Sequence, residues 1–113
     1  MDLDFNHSDA HWSYGGFGNF RRRLANKIGI NLSAMKGFGG DISFETIKDN
    51  IEPFLNHSDC DGILTVEECE KVAPRLKELV NKWDDDDYDK NEALELVEGM
   101  EYCIKNKVPL EFM

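Results

Sequence analysis

The chain is 113 residues long, with 23 acidic side chains against 13 basic ones and a net charge of −10. That length suits one domain whose core stands without disulfide staples. No apolar run approaches the roughly 20 residues that would cross a bilayer, and so acidic a surface lacks the basic footprint that nucleic-acid phosphates require. The charge is uneven: residues 1–40 carry five basic and three acidic side chains, a net of +2, which leaves −12 for residues 41–113. Such a surface suits a hard cation, or a basic peptide or protein partner.

Residues 1–16 read as an irregular segment without the basic n-region and apolar core of a leader. His7 and His11 lie there among Asp2, Asp4 and Asp9, and a mobile, solvated terminus is expected rather than a transition-metal site. A helix is predicted over 17–29, where Phe17, Phe20, Leu24 and Ile28 share a face and Gly29 fits a stop. Arg21 to Arg23 would form its basic outer face, able to balance the acidic half. Phe44, Ile47, Ile51 and Phe54 predict another helix over 43–55, with Pro53 distorting its last turn. Further helices are predicted over 66–73 and 75–86, parted or kinked at Pro74, and over 95–106, with Pro109 ending regular structure. Loops 56–68 and 87–98 fall between them.

Cys60, Cys69 and Cys103 are odd in number and form no CxxC pair, so neither a full disulfide framework nor a zinc knuckle is indicated. Cys69 and Cys103 are expected as small buried apolar residues, and Cys60 as an outward-facing thiol. Sequons at Asn6, Asn31 and Asn56 point toward the secretory pathway, with the cytosol as the alternative. Three scattered His residues give no nucleophile–base arrangement, and the reading is of a protein that is not an enzyme.

The two acidic loops carry the chemistry. Calcium takes six to eight oxygens at ~2.3–2.6 Å, which a twelve-residue bend supplies from alternating carboxylates, one backbone carbonyl and a closing bidentate Glu. In 87–98, Asp87, Asp89 and Asn91 fill positions one, three and five. Ala93 offers the carbonyl at seven, Leu94 is the apolar residue at eight, Glu95 stands at nine and Glu98 closes at twelve. Glu92 takes the sixth place, where Gly is usual. Without metal, the like charges from Asp84 to Asp89 are expected to push some carboxyl pKa values up. The simpler alternative is a solvated acidic run capping a helix.

In 57–68, Asp59, Asp61, Gly62, Leu64 and Glu68 fall at positions three, five, six, eight and twelve, and Ile63 offers its carbonyl. His57 at position one is a poor ligand for a hard cation. A thirteen-residue frame begun at Asn56 supplies an amide oxygen instead. This site is expected to be the weaker, or to be a degenerate hand that folds without metal.

These tandem loops resemble the EF-hand calcium-binding family over roughly residues 43–106, with details similar to extracellular and secretory-pathway members such as osteonectin. The resemblance implies an all-α fold, a paired helix–loop–helix with one extra N-terminal helix over 17–113. It also implies a minimal β contact between the loops through Leu64 and Leu94, and about two bound calcium ions. The loop starts are only about 30 residues apart, closer than the family's usual spacing. The implied role is a metal-stabilised structural, buffering or constitutive partner-binding module. The alternative is a sensor that exposes a groove for a target helix, although sensors favour Met-rich surfaces and only Met100 falls within the pair.

Overall fold

The computed structural model describes residues 2–58 and 60–113. Strand β1 (Asp2–Leu3) pairs antiparallel with β2 (Trp12–Ser13), which runs directly into helix α1 (Tyr14–Lys27). Helix α2 (Glu52–Leu55) precedes strand β3 (Ile63–Leu64) and helix α3 (Val66–Val80). Helix α4 (Tyr88–Asn106) and strand β4 (Leu110–Glu111) complete a mostly helical architecture with two two-stranded sheets.

Far from being a loose lead-in, the opening segment buries Leu3, Phe5, Ala10 and Trp12. Phe5 bridges to Phe112, and Met113 N donates to Asp4 O at 2.8 Å, so the two ends of the chain lie side by side. Trp12 stacks on Phe20 at 5.0 Å, and Phe17 meets Phe54 and Phe112 edge-on. Burying each such side chain contributes ~1.5–3 kcal/mol, which explains why the segment docks. Helix α1 starts three residues before the expected position because the Ser13 hydroxyl accepts the Gly16 N–H and caps the first turn.

The helix expected over 43–55 is not continuous. A 3₁₀ turn spans Phe44–Thr46, and only Glu52–Leu55 is α-helical. Ser43 and Asp49 side chains take the backbone N–H groups of Glu45 and Ile51, giving the chain a local alternative to the helical ladder. Phe44, Ile47, Ile51 and Phe54 are nevertheless all buried, so the apolar stripe was read correctly and its geometry was not.

Pro74 does not divide α3. The Thr65–Glu68 capping box opens the helix, and Cys69, Val72, Ala73, Leu76, Leu79 and Val80 bury one unbroken stripe across the proline. That burial outweighs the ~3 kcal/mol cost of an interior proline, which sits on the exposed side. Helix α3 packs chiefly on α4, whose inward residues are Ala93, Leu96, Val97, Met100 and Cys103.

Candidate functional site

Of the two predicted loops, 56–68 is a bend and 87–98 is not. After α2 ends at Leu55, the chain turns through Gly62 at φ +90° into β3 and the capped start of α3. A side chain at position 62 would be strained at that φ and would bring its Cβ within 3.3 Å of the His57 ring. Asn56 and Asp61 are exposed at the rim, as is Ile63; Asp59 lies outside the described residues.

His57 and Ile63, the first and seventh residues of the 57–68 frame, are joined directly. The Nε2–H of His57 donates to the Ile63 carbonyl at 2.8 Å, and the imidazole stacks on Phe112 at 3.8 Å. The buried Arg21 guanidinium donates to the carbonyls of Leu55 and His57 while lying against the Phe17 ring. Glu68, the closing residue of the frame, turns its carboxylate to the Thr65 N–H at 2.9 Å. A cation held here would use oxygens from Asn56, Asp61 and the Ile63 carbonyl, and would require Glu68 to leave its cap.

The strand contact also departs from expectation. Leu64 pairs with Leu110, and Phe112 N donates to Gly62 O at 2.9 Å, so the tail partners the loop. Leu94 cannot fill that role because it lies inside α4.

The segment 87–98 is the start of α4, and its predicted ligands do not converge. Asp87 is the N-cap, accepting the Lys90 N–H at 3.1 Å, while Asn91 and Glu98 are exposed and Ala93 is buried against α3. Glu92 at the sixth place of the frame, with Ala93, Leu94, Glu95 and Leu96 behind it, gives five good helix formers in a row where a bend was needed. Asp89 is committed too: its carboxylate accepts Trp12 Nε1–H at 2.9 Å and Arg23 Nη1–H at 2.7 Å. Arg23 also reaches Asp87 at 2.8 Å and lies 3.9 Å over the Trp83 ring.

Two basic residues therefore neutralise part of this acidic run, Arg23 at Asp87 and Asp89 and Lys90 at Asp85. The Lys90 ammonium donates to the carbonyls of Asn81 and Trp83 and to Asp85, at 3.3, 2.8 and 2.8 Å. The expected rise in carboxyl pKa is reversed at two positions: the Lys90 hydrogen bond holds Asp85 below its ordinary value, and the Arg23 hydrogen bond does the same for Asp87. Lys90 escaped the sequence reading because it fell at a non-ligand place of the loop frame. Its position just behind five aspartates was the available signal.

Among the described residues, no three His, Cys, Asp or Glu side chains gather closely enough to hold an ion. No protein-family model matches the chain, and no curated protein or solved structure matches it either. Among the described residues, no helix is long and apolar enough to cross a membrane.

Proposed function

We propose that this protein is a calcium-binding module with one EF-hand-like site, the bend 56–68, in a structural or constitutive partner-binding role and without catalytic activity. The observation that carries the reading is Gly62: it takes φ +90° at the sixth place of the 57–68 frame, in an acidic bend that runs straight into a two-residue strand and a capped helix. The side chains of Asn56 and Asp61 and the carbonyl of Ile63 supply hard oxygen donors, with Asp59 and Glu68 as the further ligands of the frame. His57, through the Ile63 carbonyl, and the Thr65–Glu68 capping box hold the bend shut. Calcium would displace those contacts, and its affinity is lowered by their loss.

The expected stoichiometry is therefore one ion rather than two, since Asp87, Asp89, Asn91, Ala93 and Glu98 belong to a helix. A structural role is favoured over a switch because Met35 and Met100 are buried, and the exposed large apolar residues Ile42, Ile63, Tyr88, Tyr102 and Met113 form no Met-rich surface.

Calorimetric calcium titration tests the reading on wild type, Asp61→Asn, Glu68→Gln and Glu98→Gln. One site is expected, weakened in the first two variants and unchanged in the third, with a calcium-dependent rise in Tm. Absence of any calcium-dependent heat or Tm shift in wild type would sink it. A large calcium-dependent gain in hydrophobic-dye binding would instead favour a sensor.

A further inference from the structure

A cleft of about 540 Å³ lies beside the bend, between the first half of α1, the turn around Lys36 to Phe38, and the loop start at Asn56 to Ser58. Three cationic side chains line it, namely Arg21, Arg22 and Lys36, and no carboxylate does among the described residues. In a chain of net charge −10, that concentration of positive charge is a local inversion of the overall field.

The side chains of Arg22 and Lys36 differ from the carboxylate-paired cations elsewhere in the fold. Arg23, Arg75 and Lys90 are each bonded to carboxylates at 3.0 Å or less. The Lys36 ammonium makes no hydrogen bond or ion pair among the described residues, although its backbone N–H donates to Ile42 O at 2.8 Å, and the Arg22 side chain reaches only its helix neighbour Asn19, at 3.5 Å. Arg21 is 3% exposed and fixed between carbonyl acceptors and the Phe17 and Phe38 rings, at 4.6 and 5.1 Å, so its charge is held in place at the cleft wall. The first turn of α1 carries no acidic residue, and its positive dipole end adds to the same potential.

We propose that this cleft binds a small phosphate-bearing molecule, with Arg22 and Lys36 receiving the phosphate oxygens and the fixed charge of Arg21 in the wall beside them. The guanidinium fork suits a phosphate dianion, and a cavity of this size holds a small organic phosphate. A polyanion does not fit the setting, because the flanking residues 41–113 carry −12 and would repel it. The proposal stands whether or not the neighbouring bend takes calcium.

The test is performed with a chelator present at low ionic strength, so that the calcium reading plays no part. Inorganic phosphate and adenosine monophosphate are titrated into the isotopically labelled protein, and the backbone amides of Gly15, Gly18 and Gly37 are followed by NMR. Saturable shifts confined to the cleft are expected, with tighter binding of the nucleotide if the cavity also holds its organic part. Arg22→Glu and Lys36→Glu, both at exposed positions, are each expected to weaken binding roughly tenfold. Lys105→Glu, the same charge change on α4, should leave it unaltered. No saturable shift with either probe would overturn the proposal, as would equal weakening by Lys105→Glu, which would mark diffuse charge attraction.

Discussion

The Lys90 ammonium lies 2.8 Å from the Trp83 carbonyl oxygen and 2.8 Å from an Asp85 carboxylate oxygen, with the Asn81 carbonyl at 3.3 Å. Its side chain is 10% exposed, whereas that of Asp85 is fully exposed. The carbonyl contacts therefore carry most of the stabilisation, since the exposed carboxylate is screened by water. Lys90→Met should destabilise the fold by ~2 kcal/mol, the value of hydrogen bonds to a charged group, lowering Tm by roughly 8 °C. Asp85→Ala should change Tm little. Scanning calorimetry of the two variants decides whether the carbonyls or the ion pair dominate.

Acid should weaken the fold through Asp49 and Asp87. Hydrogen bonds from Arg75 and Arg23, respectively, hold both carboxyls below their ordinary values. A depressed folded pKa contributes stability that is present above the unfolded value of about 3.9 and is lost as pH falls through the folded value. Urea midpoints measured from pH 5 down to pH 2 should fall, and less steeply in Arg75→Met. His11 has the opposite sign: its hydrogen bond to Asp4 raises its pKa above 6.5, so its contribution is full below 6.5 and fades as pH rises through the folded value. NMR titration should place His11 above 6.5 in wild type and lower in Asp4→Asn.

Gly99 sits inside α4 where Ala would ordinarily stabilise a helix by up to ~1 kcal/mol. Here the sign should reverse. A Cβ at this position would come within 2.6 Å of both the His7 carbonyl oxygen and the Ser8 Cβ. Gly99→Ala should cost ~1–2 kcal/mol by forcing the opening segment off α4 and breaking the Ser8 hydroxyl bond to the Glu95 carbonyl. Urea denaturation of the variant gives the answer; a gain in stability would show that the segment yields freely.

Thiol labelling under native conditions should be fast at one site only. All three cysteines are free, Cys60 exposed and Cys69 and Cys103 buried. Burial pushes the Cys69 thiol up to about 12 and raises that of Cys103, so little thiolate is available at either. One equivalent of a thiol reagent should react at once, with two more only on unfolding. Prompt reaction of all three would mean that the α3–α4 seam opens readily.

Apolar spacing was the legible part of this sequence. Phe17, Phe20 and Leu24 marked α1, and the stripe from Phe44 to Phe54 marked core residues, because burial imposes a pattern that survives local irregularity. What failed were boundaries set by side-chain competition for backbone groups: Asp49 broke one expected helix, and Asp87 began another where a loop was expected. The second metal frame misled because alternating carboxylates satisfy two physical demands equally, cation coordination and helix capping. Which applies depends on where Arg23, Lys90 and Trp12 arrive from, and those residues are 64, 5 and 77 positions from their respective partners Asp87, Asp85 and Asp89. Linear spacing carries no information about the two distant ones. In the first bend, Gly62 takes the positive φ that suits glycine, whereas the tail's pairing with Leu64 left no mark in local sequence.

That tail has a mechanical consequence. Residues 110–112 serve as a latch across the bend, through the Leu64–Leu110 pairing, the Phe112 amide on the Gly62 carbonyl, and the Phe112 ring under His57. Loss or displacement of residues 110–112 would register at this distant bend before anywhere nearer in the chain. Whatever the bend grips, its hold would vary with what happens to residues 110–112.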